Sequence, residues 1–352
     1  MAAALDIVTL RAEAPADRPG FVEARILPGR GMMLLQARLR LPSGEVVDGL
    51  FAPEDPAAEF GGADDFAGNK AFAFGGAVLV PYANRIRGEP IGDAREIEAV
   101  VDGRRVRLPR NWGGKAAGAE QYAMHGLILD RAVPYEQPTP GRLAGRLDAG
   151  DFGGRWPGQL AFDLEWGLEA GVLTLAIRAH NTGDEAVPLG VGFHPYMALP
   201  SGDRRQARLR LPARMRTEVN DYDEVLPTGR LLPTAGGPYD FSDGRALGEL
   251  YLDDCFTDLV RTGGQVTVEV EDPAAGVGYR FTSTSPHVKA VQVYAPPDKA
   301  FVVVEPQFNL ADPFGGVWDS GVDTGIARLE PGQSLTYDCQ LTAFAVGNRT
   351  RG

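Results

Sequence analysis

Apolar side chains recur at every second position through much of this chain. In "GVLTLAIRAH", Leu173, Leu175, Ile177 and Ala179 share one face, and the "NTGD" that follows reads as a turn. "QVTVEVEDPAAGVGYRF" sets Val266, Val268 and Val270 against Thr267, Glu269 and Glu271, then turns at Asp272–Pro273. "EPGQSLTYDCQLTAF" opens with a turn and alternates through Leu335, Tyr337, Cys339 and Leu341. Side chains of a strand point alternately to its two sides, so period two predicts half-buried antiparallel strands. Few windows keep apolar residues at helical spacing behind a cap, and prolines interrupt most of them. The 45 glycines and 27 prolines are dispersed and punctuate short segments. With no strand–helix alternation, a doubly wound parallel sheet is not expected. The expectation is an all-β chain: a large antiparallel β-sandwich with few short helices, forming one domain over residues 1–352.

Composition narrows the function. An apolar fraction of 44% supports a sizeable core. A net charge of -12 argues against broad binding to nucleic acid or anionic lipid, though not against a local basic pocket. The opening "MAAALDIVTLRAEAPADRPG" lacks the basic start and apolar run of a secretory leader. No stretch approaches the roughly 18 apolar residues of a membrane span. Cys255 and Cys339 are too few for a disulfide framework and read as buried thiols of a reducing compartment. A soluble, cytoplasmic protein is expected, with neither membrane nor nucleic acid among its partners.

Candidate chemistry gathers where apolar runs end in polar residues. "VLVPYANRIRG" leads from a buried-looking run into Asn84 and Arg85, with Arg87 expected to face solvent. "FVVVEPQFN" runs from Phe301 to Val304 straight into Glu305 and Pro306. Glutamate is rarely buried unless paired, and desolvation raises its pKa until it can accept a proton near neutrality. His194, in "PLGVGFHPYMALP", is held extended by Pro195 and follows two glycines that allow close approach. His125 in "YAMHGLILDRA" has a similar setting, below the loop "NWGGKAAGAEQ". His180 ends a strand and is expected at an edge or in solvent, and His287 sits in a polar turn. In "YLDDCFTDL", Asp253 and Asp254 point to opposite faces, so one of the two can serve a given pocket. His125, His194 and Glu305 are a legitimate zinc set, but neither HExxH nor a close histidine pair announces one, so no metal is expected.

These segments, taken in order with "LDDCF" and the terminal "LEPGQSLTYDCQLTAF", resemble the aldose 1-epimerases (galactose mutarotases) from about Leu35 onward. The form with "HGL" and "HPY" resembles a bacterial branch. Leu127, and "YMAL" after His194, stand where the better-studied branch has a second glycine and "YFNL". The resemblance implies the galactose mutarotase-like supersandwich. It puts the ring-oxygen proton donor on His194 and the anomeric base on Glu305. It makes Asn84, Arg85, His125 and Asp253 substrate-binding, with Asp254 close enough to leave that register open.

Mutarotation opens the sugar ring by removing a proton from the anomeric hydroxyl and adding one to the ring oxygen. A carboxylate and an imidazole on opposite sides of the sugar would do both without cofactor or metal. Arg85 would donate to sugar oxygens, and Phe308, Trp318 or Tyr196 would stack on its C–H face. The expected partner is a small aldose, and the protein a monomer or homodimer. Rival readings are a hexose-6-phosphate mutarotase using Arg104, Arg105 and Arg107 or Arg204 and Arg205, a sugar-binding protein without catalysis, and a glycosidase using Asp253 and Glu305.

Overall fold

The alternating segments become strands of two large antiparallel sheets in the computed structural model, which describes residues 6–92 and 94–347. The first five residues of the opening segment lie outside that range. The first sheet has 11 strands. Its centre runs, neighbour to neighbour, through Gly76–Leu79, Gly192–Ala198, Phe301–Gln307, Ala290–Ala295 and Leu252–Leu259. The second has nine, with Leu160–Glu169, Val172–Asn181 and Ser334–Ala345 side by side. Among the described residues helix is confined to Pro56–Glu59 and two 3-10 turns. This is the all-β architecture that the period-two pattern implies.

The two sheets bury a common core. Phe193, Met197, Val302, Val304, Val291, Val293 and Phe256 of the first join Trp166, Leu175, Ile177, Phe281 and Tyr337 of the second. The ring of Phe193 meets that of Trp166 edge-on at 5.4 Å. Leu173, Leu175, Ile177 and Ala179 are all buried, as are Val266, Val268 and Val270, as their alternation predicts. Burial on this scale is what holds the sandwich, at about 25 cal/mol per Å² of apolar surface removed from water.

Alternation also fixes what lies on the far side of the first sheet. Gly192 pairs with Gln307 and Tyr196 with Val303, which puts His194 opposite Glu305. Gln292 pairs with Glu305 across the next ladder and with Cys255 beyond it. Residues directly opposite share a face, so His194, Glu305, Gln292 and Cys255, with Asp253 two residues along, form one row away from the core. Each strand thus carries core at one residue and polar chemistry at the next.

His180 is not at an edge. Its strand is flanked by those of Leu160–Glu169 and Ser334–Ala345, and its ring bonds Asp163 Oδ2 at 2.6 Å and Ser334 Oγ at 2.8 Å. A local pattern carries no information on strand order. Cys255 and Cys339 are buried and unpaired. Among the described residues no helix is long and apolar enough to cross a membrane.

Candidate active site

Two short backbone devices bring the remaining side chains to this row. Asn84 has φ 58° and His125 φ 62°, in the left-handed region where asparagine and histidine are tolerated better than most residues. They face each other across the pairing of Arg85–Ile86 with Gln121–Met124, and His125 N–H donates to Asn84 O at 2.7 Å. Gly126 follows at φ 89°, and a Cβ there would lie 2.2 Å from Val80 O. The glycine of "MHG" is therefore required by both conformation and space, and it turns the His125 ring toward His194.

The two rings meet edge-on with centroids 4.8 Å apart. His194 Nε2 lies 3.3 Å from Glu305 Oε1. All three residues are buried, and one ligand-capable atom from each lies within 4.8 Å of the others. His125 Nδ1, His194 Nδ1 and Glu305 Oε2 are buried with no hydrogen-bond partner among the described residues. Unmet buried polar atoms are costly, so a cluster in which each of three residues keeps one is suited to receive polar groups. Acid and base candidates stand side by side on adjacent strands, not on opposite walls. This suits mutarotation, because the anomeric hydroxyl and the ring oxygen hang from one carbon.

Burial sets the protonation states. It pulls the pKa of His194 down to about 4 and pushes that of Glu305 well above the usual carboxylate range. The Asp253 charge adds to the rise at Glu305 and the Arg85 charge opposes it. His125 is held well below its ordinary value by burial, then by His194 and Arg85.

Asp253, not Asp254, belongs to the row. Its Oδ1 accepts from Gln292 Nε2 at 2.6 Å, and Gln292 Oε1 accepts from Asn84 Nδ2 at 3.1 Å. Asp254 turns away to Arg216 and Tyr222, each at 2.9 Å. Gln292 escaped the sequence reading, although a glutamine inside the apolar run "AVQVYA" was a usable signal.

Arg85 Nε donates to Asn84 Oδ1 at 2.9 Å, and Nη1 donates to the carbonyls of Glu224 and Val225. The Nη1 donor fastens the 220–226 loop, and the Arg85 charge acts on Glu305 and Asp253. Tyr122 Oη also donates to Glu224 O, and the Glu224 carboxylate accepts from Glu120 N–H at 2.7 Å. The "NWGGKAAGAEQ" loop is thereby tied to the 220–226 loop beside the site. Arg87 is partly exposed and forms a two-pronged pair with Glu120 at 2.7 and 2.6 Å.

Of the three aromatic candidates Tyr196 lies against the histidines, with its ring 5.1 Å from that of His194 and its hydroxyl donating to Phe72 O. Phe308 is core, 5.9 Å from Tyr337. Trp318 packs with Cys255 and Leu310. The wall is completed by Phe72, 4.9 Å from the His125 ring, and by Trp112, which meets Phe72 edge-on at 5.5 Å. Trp112 belongs to the "NWGGKAAGAEQ" loop expected over His125, whereas Phe72 carried no sequence signal.

The arginines of the phosphate reading are engaged elsewhere. Arg104 pairs with Glu185, Arg105 with Glu98 and Arg205 with Glu249, while Arg204 is buried against the carbonyls of Gly248, Leu250 and Ala295. Arg107 is exposed on the Arg104–Pro109 strand. A groove of 610 Å³ on the second sheet is lined by Arg146, Asp163 and Glu165. These already pair with one another or with Arg142 and His180.

The all-β fold recurs in solved structures named as sugar epimerases or their homologues. The chain superimposes on an aldose epimerase homologue from C. elegans with a TM-score of 0.73 at 18% identity, covering 98% of this chain and 100% of the other. A galactose mutarotase-like protein from Clostridium acetobutylicum gives 0.70 at 20% identity, over 93% of each chain. A galactose 1-epimerase from Lactobacillus acidophilus gives 0.64 at 16%, over 98% of this chain and 100% of that one. These similarities show the fold. The family described as Aldose 1-epimerase matches residues 53–342, and the chain belongs to that family of sugar isomerases. No curated protein sequence matches it.

Proposed function

We propose that this protein is a mutarotase that interconverts the α and β anomers of a free hexose, with Glu305 as base and His194 as acid. The observation that carries this reading is the 3.3 Å approach of His194 Nε2 to Glu305 Oε1 in a buried site. Each residue there keeps a further unpartnered polar atom.

Opening the ring takes one proton from the anomeric hydroxyl and delivers one to the ring oxygen. Closure on the other face of the carbonyl, after rotation about the C1–C2 bond, reverses both transfers. No net proton is consumed, so a pair that holds one proton is sufficient. Glu305 accepts the hydroxyl proton while His194, as imidazolium in that step, gives its own to the ring oxygen. Arg85 charge supports the carboxylate form of Glu305, which is the form that acts as base. His125 and Asp253 bind hydroxyls, with Gln292 and Asn84 holding Asp253 in place, and Tyr196, Phe72 and Trp112 cover the apolar face of the sugar. Two buried free thiols support the cytoplasm as the place of action.

The test is polarimetry with α-glucose, α-galactose and their 6-phosphates. Acceleration is expected for the free sugars. Each positioned acid or base contributes roughly 10²- to 10⁴-fold, so Glu305→Gln and His194→Asn should each lower kcat by that order. Parent-like rates in both variants would refute the assignment. Preference for the phosphorylated sugars would refute the free-hexose reading.

A further inference from the structure

We propose that His125, His194 and Glu305 also form a binding site for a divalent transition-metal ion of the zinc class, and that such an ion inhibits the protein by occupying the place of the reacting sugar carbon. The binding half of this stands on geometry alone, while the inhibitory half rests on the mutarotase reading.

One ligand-capable atom from each of the three residues lies within 4.8 Å of the other two. Tetrahedral zinc, with bonds of about 2.0–2.1 Å, sets its ligand atoms roughly 3.3–3.4 Å apart. His194 Nε2 and Glu305 Oε1 are already at 3.3 Å, and the His125 ligand atom lies within 4.8 Å of its partners. The unpartnered atoms His125 Nδ1, His194 Nδ1 and Glu305 Oε2 give each residue a second way to ligate. Two imidazoles and one carboxylate with an open fourth position suit zinc. Magnesium and calcium instead seek oxygen ligands throughout. The nearby Asp253 carboxylate favours a cation and the Arg85 charge opposes it. The ligands come from one turn and two neighbouring strands, which is why no short motif announces them.

Zinc chloride titrated calorimetrically into protein cleared of metal with EDTA should show one ion bound per chain. Glu305→Gln and His125→Ala should each weaken it at least tenfold, while His180→Ala, at the surface pair with Asp163, leaves it unchanged. Cobalt(II) added to the parent protein should develop the intense visible absorption of a tetrahedral site, a readout that needs no variant to fold. Zinc should stop mutarotation and EDTA should restore it. The proposal falls if zinc does not bind one per chain, if it survives both site variants with circular dichroism unchanged, or if cobalt shows only its weak octahedral spectrum. Zinc binding that leaves mutarotation at the parent rate overturns the inhibitory half. Metal-free protein that does not accelerate mutarotation counts against the mutarotase reading, and the zinc and cobalt titrations then decide the site by themselves.

Discussion

At the scale of single residues, Gln292 holds the polar row together. Its amide takes Asn84 on one side and gives to Asp253 on the other. Hydrogen bonds to charged groups are worth about 1.5–3 kcal/mol. Gln292→Ala should therefore cost roughly 10- to 100-fold in kcat/KM for hexose, chiefly through KM if Asp253 only binds. Steady-state kinetics across several sugars checks this, and an unchanged kcat/KM would remove Gln292 from the site. His125, His194 and Glu305 could be singled out from the sequence, since polar groups at the ends of apolar runs stand out. The work of Arg85 could not, because its partners are backbone carbonyls at residues 224 and 225, which carry no side-chain signature. Phe308 was indistinguishable from a sugar-stacking residue for a related reason. An aromatic after a strand reads alike whether it faces ligand or core.

At the scale of elements, the left-handed turn at Asn84 and its mate at His125 aim the second histidine. Gly126→Ala would press a methyl to within 2.2 Å of Val80 O at φ 89°. The strained turn should cost about 2–3 kcal/mol and displace His125. A lower midpoint in urea with an unchanged slope, together with reduced activity, is the expected result; wild-type stability would show that the turn relaxes freely. Strand identity was legible wherever one face is buried, as in Leu173 to Ala179, because water and core impose the alternation directly. Strand order was not, which is why His180 reads as an edge or solvent residue while lying, partly exposed, on an interior strand of its sheet. Adjacency of His194 and Glu305, over a hundred residues apart in the chain, depends on long-range ladder pairing that no local window contains.

At the scale of the whole molecule, the site carries a pH-dependent cost. Burial raises Glu305 above its unfolded pKa of about 4.3. Its folded state therefore binds a proton that the unfolded state has lost, and stability falls as pH rises from that value through the raised folded pKa. His194 has the opposite sign. With its folded pKa lowered to about 4, stability falls as pH drops from about 6.5 toward 4. Glu305→Gln removes the first effect only. The variant should melt higher than the parent at pH 7–8, and the difference should vanish by pH 4. Thermal melts across that range test this; a variant that is less stable at pH 8 would show that Glu305 is stabilised in the fold as an ion.

Because inward and outward positions interleave along Gly192–Ala198, Phe301–Gln307, Ala290–Ala295 and Leu252–Leu259, the pocket and the core are written on the same strands in separate registers. Substrate preference can then drift through exchanges at outward positions while the inward ones stay constant. One scaffold of this kind can be retuned from sugar to sugar without being rebuilt.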